Sequence, residues 1–142
     1  MASPWIDEYI AAWNRHDGEQ VVSFMHDNVT FEDHALGEHF EGAAAVKEFV
    51  RQTEASFSSD FRFETTYAVT GESGYAFEWT MSGTNDRADT ARGLPATGKT
   101  YAIRGVSVGR LVDGKISENR DYWNQAAYLM QVGLMPAPPT AH

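Results

Sequence analysis

Hydrophobic positions near the start of the chain recur every three or four residues. Trp5, Ile6, Tyr9, Ile10 and Trp13 fall on one side of a helix. Asn14 to Gly18 interrupts that spacing. Asp17, followed three residues later by Gln20, has the form of a capping box for a second short helix, with Val21, Phe24 and Met25 on one side. The period then changes to two: Val29, Phe31 and Asp33 share one face of a strand, and Thr30 and Glu32 share the other. A loop follows through His34, Gly37 and His39. Gly42 opens a third helix whose buried stripe is Val46, Phe49 and Val50.

The second half alternates throughout. Phe61, Phe63, Thr65, Tyr67 and Val69 read as one face of a strand, opposite Arg62, Glu64 and Thr66. Gly71 to Gly74 is a turn, and Tyr75, Phe77, Trp79 and Met81 form the apolar face of the next strand. Gly93 to Gly98 is a connection. Tyr101 to Val112 and Ile116 to Trp123 flank Asp113-Gly114, a strong hairpin signal. Asn124 to Gln131 predicts a last helical turn that stops near Gly133. Helices first and antiparallel strands second is an α+β order. Residues 1–135 read as one domain, and 136–142 as a flexible Pro-rich tail.

Composition narrows the classes of function. The chain has 142 residues, of which 42% are hydrophobic and 13% aromatic, enough for one sizeable core and for an aromatic-walled pocket. Its formal net charge of -9 repels polyanions, so nucleic acid and anionic membrane surfaces are not expected partners. With no cysteine there is no thiolate nucleophile and no disulfide. The opening MASPWIDEYI lacks a basic segment followed by an apolar run, and no stretch approaches the roughly 20 apolar residues of a membrane span. A soluble cytoplasmic protein is the expectation. The five histidines show no metal-ligand spacing.

The segments AAWNRHDGEQVVSFMHDNVTFED, GLPATGK, LVDGKISENRDYW and QAAYLMQVGLMP, in that order, resemble the SnoaL-like polyketide cyclases of the NTF2-like superfamily. The resemblance spans nearly the whole chain. It implies a conical fold: a curved, antiparallel or mixed sheet wrapped around the N-terminal helices, with an internal pocket. It also implies a hydrophobic small-molecule substrate, no cofactor, and a homodimer or higher homo-oligomer. In the cyclases the Asp that matches Asp121 is the general base. A carboxylate in an apolar cavity loses hydration and becomes a better proton acceptor. The alternative for Asp121 is a surface carboxylate paired with Arg120 or Arg104.

Register decides which residues accompany Asp121. A two-residue turn at Asp113-Gly114 sets Val106 opposite Asp121. A three-residue loop with a glycine bulge sets Gly105 there and Ser107 opposite Asn119. The second arrangement, with Ile103, Ser107, Asn119, Asp121 and Trp123 on one face, suits the implied pocket better. Ser107 is a departure: the cyclase this chain most resembles carries a His at the matching position, paired with the catalytic Asp. A hydroxyl can donate to a developing oxyanion but cannot shuttle protons near neutral pH.

Two further constellations are present. Arg87-Ala88-Asp89 with Asp121 resembles the Asp-Arg-Asp unit of limonene-type epoxide hydrolases, where one carboxylate activates water and the other donates to the epoxide oxygen. Arg87 and Asp89 share parity with Trp79 and Met81, which would continue an inward face unless Gly83 to Asp86 ends the strand first. Tyr9 and Asp33 match the oxyanion tyrosine and the general base of ketosteroid isomerases. The leading reading is aldol cyclisation by acid/base catalysis at Asp121, with Tyr9, Trp13, Phe31, Trp79 and Trp123 as pocket walls. Epoxide hydrolysis, ketosteroid-type isomerisation and a non-catalytic binding domain are the alternatives.

Overall fold

A computed structural model describes residues 4–136. The element order is α1 (Pro4–Asn14), α2 (Gly18–Val22), β1 (Met25–Asp33), β2 (Glu38–Glu41), α3 (Ala43–Ser56), β3 (Arg62–Thr70), β4 (Gly74–Thr84), β5 (Thr100–Val112), β6 (Lys115–Trp123) and α4 (Gln125–Gln131). The strands form one six-stranded sheet in the order β2-β1-β6-β5-β4-β3. Only β1 and β6 run parallel, so the sheet is mixed. No helix among the described residues is long and apolar enough to cross a membrane. The expected tail lies, Pro136 apart, outside the described residues.

The apolar stripe of α1 buries Ile6, Tyr9, Ile10 and Trp13 against the inner face of the sheet. Trp13 packs edge-on to Phe49 of α3 and Phe63 of β3, at centroid distances of 6.1 and 5.8 Å. Asp17 caps α2 by accepting from the Gln20 N–H. Asn124 caps α4 through the Ala127 N–H, and Gly133 (φ 81°) ends it with the paired bonds Leu134 N–H to Leu129 O and Gly133 N–H to Met130 O.

Several boundaries differ from the sequence reading. Met25 opens β1 rather than closing α2. His39 lies in β2, a four-residue edge strand whose pairing with β1 the short sequence pattern does not reveal. β3 carries a bulge between Thr65 and Tyr67. One extra residue reverses the side-chain parity, so Phe63 faces inward while Tyr67 and Val69 stand on the outer face, 62% and 48% exposed.

The β5–β6 register matches neither sequence alternative. Asp113 (φ 52°) and Gly114 (φ 77°) do form a two-residue turn, with both residues at the positive φ a type I′ turn requires. A bulge then skips Ser117, and Ser107 pairs with Asp121 while Gly105 pairs with Trp123. The expected common face of Ser107, Asn119, Asp121 and Trp123 is present, but by a shift that neither turn length alone produces.

Candidate active site

The inner face and the helices enclose a cavity of about 330 Å³. Tyr9 and Trp13 of α1, Phe49 of α3, Phe63 of β3, Phe77 and Trp79 of β4, and Trp123 of β6 supply aromatic walls. Asp33, Asp89 and Asp121 all line it. The two deeper acids come from adjacent parallel strands: Asp33 ends β1 and Asp121 is its register partner on β6. Neighbouring strands lie about 4.8 Å apart, so the two carboxyl groups share one end of the cavity.

Asp121 has two donors, and both reach Oδ1. The Ser107 hydroxyl donates at 2.6 Å and the Asn119 side-chain amide at 2.9 Å. Burial pushes the Asp121 carboxyl up, and the charge of Asp33 pushes it further, to about 7; the two hydrogen bonds and His34 oppose the rise. Asp33 is also raised, again by burial, against the Leu36 N–H at 2.9 Å and the Trp123 indole N–H at 3.1 Å from both carboxylate oxygens. The pair therefore retains a proton through the acid range and gives it up near neutrality. Tyr9 is buried, and burial plus the nearby Asp121 charge hold its phenol well above the usual range. Its hydroxyl stays protonated at any physiological pH and keeps a hydrogen to donate, on a residue that lines the cavity.

Not every expected residue sits where the sequence suggests. Phe31 lies behind the wall, packed on Phe49 and Trp13 at 5.7 and 6.4 Å. Asn119 is also one layer back, with its amide on Asp121 and its oxygen accepting from the Tyr75 hydroxyl at 2.5 Å. Ser107 reaches the cavity, but its single hydrogen is committed to Asp121, so it is no free donor for a ligand oxyanion. Arg120 does not pair with Asp121; it stands on the outer face with Glu32 and Glu118.

The geometry divides the expected Arg87–Asp89 unit: Asp89 lines the cavity and Arg87 does not. β4 ends at Thr84, and Asn85 turns the chain away by binding the Tyr128 hydroxyl and the Thr97 N–H. Arg87 is exposed and does not line the cavity. The guanidinium at Asp89 is that of Arg92, at 2.7 Å, and it also pairs with Glu38 across the mouth. Arg92, Leu36 and Phe57 are cavity residues that sequence reasoning missed. The i, i+3 spacing of Asp89 and Arg92 is the one signal that points to that pair.

The whole arrangement is an aromatic-walled pocket carrying three aspartates on an α+β scaffold with one curved mixed sheet. Residues 6–119 match the SnoaL-like domain family, and the chain belongs to it. No curated protein matches it by sequence. Solved structures share the fold. A Catenulispora acidiphila protein of ketosteroid isomerase-like fold, solved with trimethylamine, is 18% identical and superposes with a TM-score of 0.82, covering 95% of this chain and 96% of its own. A candidate polyketide cyclase from Xanthomonas campestris is 23% identical with a TM-score of 0.76, covering 91% and 94%. Another, from Pseudomonas putida, is 23% identical with a TM-score of 0.72, covering 89% and 93%.

Proposed function

We propose that this protein is an acid/base enzyme that removes a proton next to a carbonyl group of a hydrophobic small molecule, with Asp121 as the base and no cofactor. The observation that carries the proposal is the placement of Asp121: half-buried, beside a second carboxyl, raised to about 7, and lining an aromatic cavity. A base poised near the working pH combines adequate basicity with the right ionisation state. Asp121 takes the α-proton, and the protonated Tyr9 hydroxyl donates to the oxygen as enolate charge develops. The carbanion then attacks a second carbonyl within the same molecule, closing a ring by aldol addition. Trp13, Trp79 and Trp123 hold the flat substrate in place.

Family membership supports ring closure as the follow-on step. The second reading, isomerisation, is favoured by the adjacency of Asp33 to Asp121: a second carboxyl is at hand to return the proton at another carbon. Epoxide hydrolysis is the weakest of the three, because Arg87 is outside the cavity.

The test needs no knowledge of the natural substrate. Aryl 1,3-diketones and polycyclic methyl ketones are incubated in deuterium oxide, and α-hydrogen exchange is followed by NMR. Wild type accelerates exchange of at least one member and Asp121→Asn does not; equal exchange by both removes Asp121 as the base. Diol formation with oxygen-18 from labelled water would instead establish the hydrolase.

We also propose a homodimer through the outer face of the sheet. Tyr67, Val69, Val108 and Tyr122 are exposed there, interleaved with Arg110, Arg120, Glu78 and Glu118, a self-complementary mixture. Light scattering gives twice the chain mass if this holds, and Tyr67→Glu together with Val108→Glu returns the monomer.

A further inference from the structure

Around Asp121 lies a second layer of side chains whose arrangement proton abstraction alone does not require. Two aromatic residues of β4, Tyr75 and Trp79, reach across β5 toward β6. Each is opposite a glycine: Tyr75 pairs with Gly109 and Trp79 with Gly105. A Cβ at Gly105 would fall 2.3 Å from the Trp79 ring, and one at Gly109 would fall 2.3 Å from the Tyr75 hydroxyl. The two glycines flank Ser107 at i−2 and i+2, on the same face. They clear the space through which both rings pass.

The polar ends of those rings are buried and specifically occupied. The Trp79 indole N–H donates to the Ser107 oxygen at 3.0 Å. The Tyr75 hydroxyl donates to the Asn119 carbonyl oxygen at 2.5 Å. An indole N–H can only donate, so Ser107 accepts from it and its one hydrogen is directed to Asp121. The ionised Asp121 carboxylate can only accept, so it draws the Asn119 N–H, and the Tyr75 hydroxyl holds that orientation by donating to the amide oxygen left facing it. Both chains end on Oδ1. Among the described residues no hydrogen bond reaches Oδ2.

We propose that Trp79 and Tyr75 are positioning residues that act through Ser107 and Asn119 to engage Oδ1 and leave Oδ2 as the single proton-accepting oxygen. The inference rests on the reading of Asp121 as the base and adds how that base is aimed. It has a mechanistic consequence. A proton arriving on Oδ2 leaves Oδ1 as a carbonyl-type acceptor, so all four hydrogen bonds survive the transfer. No group has to turn while the proton moves, which is the condition for a preorganised site. An Asn119 amide facing the other way would set oxygen against oxygen at 2.9 Å and lose that property.

The titratable groups facing Asp121 are Asp33 from β1, Tyr9 from α1, Tyr75 from β4 and His34 from the turn after β1; Arg92 acts on Asp33. Nitrogen-15 NMR of the wild type follows the Trp79 indole N–H from pH 5 to 9, with the Asp121 carboxyl carbon followed in parallel. The two signals are expected to share one midpoint. Ser107→Ala raises the Asp121 midpoint by about one pH unit, through loss of a hydrogen bond to the charged form. Trp79→Phe and Tyr75→Phe raise it by roughly half as much, and Ser107→Thr leaves it near the wild-type value.

A flat Trp79 signal across the Asp121 transition overturns the proposal. So does a midpoint unmoved in both aromatic variants. Where a variant does not fold, the wild-type indole titration decides alone. These readouts are independent of turnover: a titrating relay in a protein that exchanges no carbon acid keeps the wiring and discards the reaction. Exchange that depends on Asp121 beside a silent indole does the reverse.

Discussion

The two ends of the cavity use the same side chain in opposite ways. At the mouth, Asp89 and Glu38 are bridged by the Arg92 guanidinium, and their charge is answered by charge. At the deep end, Asp33 and Asp121 sit side by side on parallel strands, and among the described residues their hydrogen bonds come from neutral donors (an indole, a hydroxyl, an amide and a backbone N–H), with His34 and Arg92 acting only from a distance. Neutral donors soften the cost of burying a carboxylate but do not cancel it, so both deep acids are raised. The ion pairs at the mouth hold a loop to β2. The deep end is built to change protonation state.

Asp121→Asn gives the largest expected effect. Carbon-acid exchange should fall by about 10²–10⁴-fold, the usual worth of a positioned base. Stability should move the other way. The folded-state carboxyl titrates near 7 against an ordinary 3.8, so between those values the folded protein holds a proton that the unfolded chain has released. Stability therefore declines as pH rises through that window, by roughly 4 kcal/mol at most. The variant escapes much of this, and its melting temperature should exceed wild type at pH 8 but not at pH 4. Identical pH profiles for the two proteins would show that Asp121 is solvated.

Gly105→Ala comes next. Its Cβ would lie 2.3 Å from the Trp79 ring, and the indole must move. Overpacking of this kind costs about 1–3 kcal/mol, read as a lower denaturant midpoint with unchanged slope. The same substitution breaks the link from Trp79 to Ser107.

Asp33→Asn is smaller and more specific. It removes the like charge beside Asp121 while keeping an oxygen for the Leu36 N–H. The Asp121 midpoint should drop by about one pH unit. An unchanged midpoint would show that burial alone raises Asp121.

Arg92→Ala is the control from the mouth. Partly exposed ion pairs of this kind contribute about 0–1 kcal/mol. The variant should leave the Asp121 midpoint within about 0.3 of wild type while speeding ligand exchange, because one loop is untied. A large shift would mean that the two ends of the cavity are electrically one site.

Much of this was legible in the residue pattern, and the parts that were not share a cause. Helix stripes, the Asp113-Gly114 turn and the inward face of β6 follow from periodicity, because burial enforces the period. Bulges do not announce themselves that way. The extra residue at Thr66 turns Tyr67 outward, and the one at Ser117 sets Ser107 opposite Asp121. Periodicity also cannot separate a residue that lines a cavity from one directly behind it, so Phe31 reads as a wall, and Asn119 as part of the pocket face, from the pattern alone. The second layer did leave a trace: Gly105-Val106-Ser107-Val108-Gly109 opposite Tyr75-Ala76-Phe77-Glu78-Trp79 sets a small residue against each outer aromatic of the neighbouring strand. Reading it required the register.

The central claim is that Asp121 ionises near neutrality because it is enclosed next to Asp33. Carbon-13 labelling of the aspartate side chains and titration of the folded wild-type protein from pH 3 to 9 measures this directly. The account predicts an Asp121 carboxyl midpoint at about 7, with Asp33 responding in the same transition. A midpoint near 4 for Asp121, independent of Asp33, would contradict it.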